Sequence, residues 1–223
     1  MWWLEVYSRG LPHLSTNRKQ IMKPYYEDDL ITLYNANCIT NSDWTFQADV
    51  MVTDPPYGTG KGGYGRAGRE IANDLDTKVR DLALQLWADK PYAMFASGKM
   101  PSPSFEWDHQ LVWDKAVAGM GGKVRYQHEL LYVYKYGQIG NGFSVIRVAK
   151  ELHLTKLHPH AKPSSLMAMI VGAAPEGVII DPFAGIGGTL IAAKQLGRKV
   201  IGYELNPEYC EVIANRAAQG VLI

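Results

Sequence analysis

Val50-Met51-Val52-Thr53-Asp54-Pro55-Pro56-Tyr57 is a short apolar run, rich in β-branched residues, that ends in an acid, two prolines and a tyrosine. The apolar part reads as a buried strand. Consecutive prolines fix two φ angles and lack the N–H groups a ladder needs, so the strand stops at Asp54 and the chain turns stiffly. Gly58, Gly60, Gly62 and Gly63 follow. A carboxylate, rigid carbonyls and an aromatic ring therefore share the C-terminal end of a strand. In open α/β sheets that is the edge where ligands bind.

This grouping suits attack by an exocyclic amine, whose lone pair is delocalised into an aromatic ring. Asp54 and the Pro55 carbonyl can accept its two N–H bonds and draw the nitrogen toward tetrahedral geometry. Tyr57 can stack on the base, as aromatic side chains do on a flipped nucleotide. The plainer reading of the same residues is a proline-stiffened turn with Asp54 as a cap or turn residue.

Asp54-Pro55-Pro56-Tyr57 after an apolar strand resembles the catalytic motif of the DNA amino-methyltransferases, which methylate adenine N6 or cytosine N4. In that family an Asp in first position goes mostly with adenine and a Ser with cytosine. The resemblance thus implies an adenine target, with the cytosine N4 enzymes as the alternative on the same scaffold. An inactive DNA- or S-adenosylmethionine-binding module is the alternative from another class.

Upstream, Leu30 to Tyr34 reads as a strand leading into Ala36-Asn37-Cys38. The family often has Gly-Asp-Cys here, whose acid accepts from the cofactor's adenine amino group. Asn37 offers an amide oxygen instead, without charge assistance. Residues 1–21 lack periodicity and are expected to form a loose arm.

Downstream, the glycine-rich loop carries Lys61, Arg66 and Arg69, a cationic lid suited to phosphate backbone. Asp74 to Asp89 reads as a helix with Leu75, Val79, Leu82 and Leu86 on one face. Tyr92 to Ala96 is a buried strand, and Gln110 to Lys115 and Glu129 to Lys135 are two more. The pattern Trp113-Asp114-Lys115 followed by Arg125 and His128-Glu129 is similar to the family's terminal antiparallel pair. That resemblance places Lys115 and Arg125 toward DNA.

The second strong signal is Gly177 to Thr189, an apolar strand running into a glycine turn that opens a helix at Leu190. Glycines let backbone approach a ligand closely, and Glu204 ends the next strand about 20 residues later, where a ribose-binding acid belongs. A bare glycine turn would equally suit a nicotinamide dinucleotide. The form Asp181-Pro182-Phe183-Ala184-Gly185-Ile186-Gly187 resembles the methyltransferase signature instead, and implies cofactor contacts for Asp181, Phe183, Gly185, Gly187 and Thr189. His158-Pro159-His160-Ala161-Lys162-Pro163 resembles the family's His-Pro-x-x-Lys-Pro segment, which implies that Lys162 helps wrap the methionine end of S-adenosylmethionine. Ser164 is a good N-cap for a helix at Ser165 to Val171.

Composition sets the remaining bounds. The 223 residues suit one α/β domain at 22–223. Its expected parts are a catalytic half at about 22–136, a short recognition gap at about 137–156 and a cofactor half at about 157–223. With Lys+Arg 23 against Asp+Glu 22, bulk charge does not announce nucleic acid, so DNA contacts must be local. Cys38 and Cys210 are the only cysteines, which fits a reducing compartment and excludes a cysteine-based zinc framework. No metal is expected, and no apolar run reaches membrane-spanning length.

Catalytic half before cofactor half is the order of the β group of DNA amino-methyltransferases. Enzymes that methylate protein glutamine carry Asn-Pro-Pro-Tyr after the cofactor turn, so residue and order both differ. What the resemblance implies is an S-adenosylmethionine-dependent methyltransferase (Rossmann-like) α/β fold, with a seven-stranded mixed sheet in circularly permuted order. It also implies cytoplasmic, bacterial- or phage-type activity on double-stranded DNA with a flipped base. A homodimer and a partner restriction endonuclease would be consistent with that setting.

Overall fold

The computed structural model describes residues 22–58, 76–117, 124–158 and 160–219. The expected arm at 1–21 and the loop residues Lys61, Arg66 and Arg69 lie outside them. In chain order the elements are β1 (Tyr26–Glu27), β2 (Ile31–Asn35), α1 (Trp44–Gln47), β3 (Val50–Thr53), α2 (Lys78–Trp87), β4 (Tyr92–Ala96), β5 (His109–Asp114) and β6 (His128–Tyr134). Then follow β7 (Val145–Arg147), α3 (Leu152–Leu157), α4 (Ser164–Gly172), β8 (Ile179–Asp181), α5 (Gly188–Gln195), β9 (Val200–Glu204) and α6 (Pro207–Ala218).

The strands form one sheet in the order β1-β2-β9-β8-β3-β4-β6-β5-β7. Among the described residues the expected seven strands are nine. The two additions are the outermost ones, β1 with two residues and β7 with three, too short to show any alternation in sequence. The seven between them mix parallel pairs with antiparallel β4–β6 and β5–β6 pairs. At the centre β3 lies parallel to β8, with Val50 opposite Ile179 and Met51 opposite Ile180. The two halves of the chain thus meet along one ladder, and the ends of β3, β8 and β9 open side by side.

All four residues of β3 are buried because helices cover both faces of the sheet. Val50 and Val52 pack with Phe95, Ile179, Leu190 and Ile213 on one face. Met51 packs with Met94, Ile180, Trp44 and Trp87 on the other. Trp44 and Trp87 stack at 5.7 Å between ring centroids, and Trp44 Nε1 donates to the Cys38 carbonyl at 2.9 Å.

Two local expectations change. Helix α2 buries Arg80, Ala83, Leu84 and Trp87, while Leu82 and Leu86 are exposed. Its 3.6-residue period carries two apolar stripes, and the one bearing Trp87 has more surface to bury. Ser164 is the first residue of α4 rather than its cap. Glu151 takes the capping role, accepting from Ser164 N at 2.8 Å and Ser164 Oγ at 3.1 Å. Among the described residues no helix is long and apolar enough to cross a membrane.

Candidate functional site

Strand ends, not loops alone, place the chemistry. Asp54 follows β3 directly, Asp181 ends β8 and Glu204 ends β9, so three carboxylates line one cavity of about 200 Å³. The same cavity is lined by Asn37, Pro55, Pro56, Tyr57, Lys162, Phe183, Gly185, Thr189 and Arg216.

The turn Asp54 to Tyr57 is held from outside itself. Lys162 Nζ binds Asp54 Oδ2 and lies 3.2 Å from Glu129 Oε2. Lys115 Nζ takes the other Glu129 oxygen, Oε1, at 2.5 Å. The result is a row of alternating charge, Lys115–Glu129–Lys162–Asp54, running under the turn. Tyr57 Oη donates to Glu129 Oε2 at 2.8 Å, which fixes the ring's position. Lys162 Nζ also sits 4.7 Å from the Phe95 ring centroid.

This row sets the local titration. Burial disfavours the Lys162 cation, but the carboxylates of Asp54 and Glu129 outweigh it and raise its pKa. Burial likewise pushes Glu129 up, and the ammonium groups of Lys162 and Lys115 overcome that and hold it low. Burial, with Asp54 and Glu129 adding to it, keeps the Tyr57 phenol neutral, well above its usual range.

Asp54 Oδ1 is the exception to this satisfaction. It is buried and has no hydrogen-bond partner among the described residues. An orphaned acceptor of this kind costs about 1–3 kcal/mol, and more when charged, until a donor arrives. Asp54 itself is a lining residue of the cavity.

At the glycine turn, Gly187 caps α5 at φ 82°. A Cβ there would lie 2.9 Å from Ile213 Cγ1, so both conformation and space require glycine. Glu204 Oε2 accepts from Gly185 N at 2.7 Å and Oε1 from Asn206 N at 2.7 Å. Burial raises Glu204 to about 7. Asp181 is raised by burial to about 6, and its Oδ1 accepts from Thr53 Oγ1 at 2.7 Å and Phe183 N at 3.1 Å.

The structure gives several expected residues partners that the sequence did not show. Lys162 is turned to Asp54 and Glu129, because a buried ammonium needs anions around it. Lys115 is turned inward to Glu129 rather than toward DNA, with its side chain only 13% exposed. Arg125 is exposed. Asn37 lines the cavity while its Oδ1 accepts from Ile39 N at 2.8 Å, leaving that oxygen one further lone pair. Thr189 is buried against β3, its Oγ1 donating to the Val52 carbonyl at 3.3 Å. Sequence reading missed Glu129 and Arg216 as members of the site. An acid inside a strand and an arginine on a terminal helix carry no motif.

Residues 137–216 match the family model N6_N4_Mtase, described as DNA methylase. That match covers 80 of the 223 residues, the part holding Lys162, the glycine turn and Glu204. It is 29% identical over 182 residues to YubD of Escherichia coli (strain K12), covering 72% of this chain and 78% of that protein. It is 24% identical over 250 residues to the type II methyltransferase M2.LlaDCHI of Lactococcus lactis subsp. cremoris, covering 89% and 93%. The fold is similar to that of M1.HpyAVI in its SAM complex, with TM-score 0.58, 20% identity and coverage of 84% and 99%. It is equally similar to the cytosine-N4-specific PvuII DNA methyltransferase, with TM-score 0.59, 16% identity and coverage of 87% and 88%. Asp54 lies outside the DNA methylase match and Lys162 inside it, so their ion pair joins the tetrapeptide to the matched half.

Proposed function

We propose that this chain is a DNA methylase that transfers a methyl group from S-adenosylmethionine to the N6 amino group of an adenine flipped out of double-stranded DNA. The observation that carries this reading is the orphaned Asp54 Oδ1, a buried acceptor on the cavity that Glu204 and the glycine turn also line. The cavity's lining suits the cofactor: an acid at the β9 end for ribose hydroxyls and glycines for close backbone approach.

When bound, S-adenosylmethionine supplies an electrophilic methyl group on a sulfonium. The rest is positioning by the chain. Lys162 holds Asp54 Oδ2 and so leaves Oδ1 for an amine N–H, with the Pro55 carbonyl as the second acceptor. That pair draws the nitrogen out of conjugation and directs its lone pair. Glu129 fixes the Tyr57 ring against which the base stacks, so the amine arrives aligned rather than searching. As the methyl moves, positive charge develops on the amine nitrogen beside the Asp54 carboxylate, an electrostatic arrangement built before the reaction begins.

The adenine assignment rests on Asp54 in first position of the tetrapeptide. Incubation of the protein with DNA and isotopically labelled S-adenosylmethionine, followed by digestion and mass spectrometry, tests it. N6-methyladenine is the expected product. N4-methylcytosine would overturn the base assignment, and binding of S-adenosylmethionine without transfer to any DNA would overturn the catalytic reading.

A further inference from the structure

An amino acid's carboxylate entering a half-closed cavity needs a cation, because burying it unpaired is prohibitively costly. Lys162 and Arg216 are the permanent cations among the described residues of this cavity's lining. Lys162 is committed: its ammonium serves Asp54, Glu129, the Tyr57 hydroxyl at 3.3 Å and the His160 carbonyl at 3.2 Å. His160 is driven toward its neutral form by burial and then by Lys162.

Arg216 is placed differently. It lies on α6, one turn beyond Ile213, and one guanidinium nitrogen, Nη1, donates to the Ile186 carbonyl inside the glycine turn. That single bond leaves most of a five-donor fork for another partner. The carboxylate whose field reaches it, Glu151, is engaged at the start of α4 by Ser164 N and Oγ. The surrounding wall is apolar, built from Leu154, Ala161, Ile186 and Tyr209. A planar fork in such a wall matches a carboxylate in two-point contact.

We propose that Arg216 recognises the carboxylate of the methyl donor's amino-acid end, the role the sequence pattern had implied for Lys162. The inference rests on the reading of the cavity as an S-adenosylmethionine site. It makes Arg216 a selectivity residue that separates the full cofactor from nucleosides lacking that carboxylate. Lys162 is thereby left to the Asp54–Glu129 network.

The test is calorimetric affinity for S-adenosylmethionine and for decarboxylated S-adenosylmethionine, in the unmodified protein, Arg216→Gln and Arg216→Lys. Gln keeps a donor for the Ile186 carbonyl and removes the charge, while Lys keeps the charge and removes the fork. The unmodified protein is expected to prefer the carboxylated ligand by about 10- to 100-fold, the range of one charge-assisted contact. Arg216→Gln should erase that preference while binding the decarboxylated ligand as before, and Arg216→Lys should restore part of it. Equal weakening of both ligands in Arg216→Gln would overturn the inference and assign Arg216 to bracing the turn. An unchanged preference in Arg216→Gln would also overturn it. Failure of the unmodified protein to bind either ligand would instead bring down the cofactor reading beneath it.

Discussion

Tyr57 donates its hydroxyl to Glu129 Oε2 at 2.8 Å, so the last residue of the tetrapeptide is pinned by a strand 72 residues away. Glu129 accepts at the same time from Lys115 and Lys162. Removing the acid therefore takes the carboxylate from buried Lys115 and leaves Lys162 with Asp54 alone, whereas removing the phenol oxygen leaves the acid with both cations. Glu129→Ala should destabilise the fold by about 3–5 kcal/mol, the usual cost of breaking a buried ion pair from one side. Tyr57→Phe should cost about 0.5–1.5 kcal/mol and keep its ring. Urea denaturation of the two variants checks the contrast, and equal losses would contradict the network as described.

On the proposed function, Asp54 and Glu204 divide the work of the cavity between acceptor and cofactor. Asp54→Ala should abolish methyl transfer while leaving S-adenosylmethionine affinity within a few-fold. Glu204→Ala should weaken cofactor binding by about 1.5–3 kcal/mol if its ribose contacts are charge-assisted. Calorimetry in which Asp54→Ala loses the cofactor and Glu204→Ala keeps it would reverse these roles.

Why some of this was legible in sequence and some was not follows from the range of the interactions. Val50 to Thr53 and the strand before the glycine turn read correctly because burial on both faces demands continuous apolar runs. The pairing of β3 with β8, and hence the shared cavity, was not legible, since no local rule links positions so far apart. The inward partners of Lys115 and Lys162 were not legible for one reason. A lysine's partner is chosen by the fold, and Glu129 sits in a strand whose other members are mostly hydrophobic. Similarly, Leu82 and Leu86 look like a core face until Trp87 is seen to occupy the sheet.

Sequence reading of DNA requires contacts to base edges, while phosphate contacts supply position only. The short stretch at 137–156 offers exposed Gln138, Asn141, Ser144 and Arg147, with half-buried Lys150 beside them. Such a surface reads few base pairs. The expected outcome is a short or relaxed recognition site, or a second subunit that completes the reading surface. Binding should fall steeply with salt, since Arg125 and the basic residues Lys61, Arg66 and Arg69 suit phosphates. Methylation mapping alongside light scattering checks this. A monomer that modifies a single site of about six or more defined bases would contradict it.

Glu204 gives cofactor binding a pH dependence whose sign can be worked out. Burial raises its carboxyl to about 7, so the folded protein holds that proton more tightly than the unfolded chain does. Its contribution to stability without cofactor is fully present below the ordinary carboxylate range and is lost as pH rises through about 7. Ribose hydroxyls donate, and they bond more strongly to the ionised form. Affinity for S-adenosylmethionine should therefore be high above pH 7 and fall as pH drops, by up to about tenfold per unit. Asp181 titrates nearby at about 6 but spends its Oδ1 on Thr53 and Phe183, so it should add little to the profile. The two acids are separated by Glu204→Gln, which should flatten the affinity profile while Asp181 stays in place. Calorimetry across about pH 6 to 8 in both proteins checks the assignment. A profile that keeps its slope in Glu204→Gln would move the titration to another group.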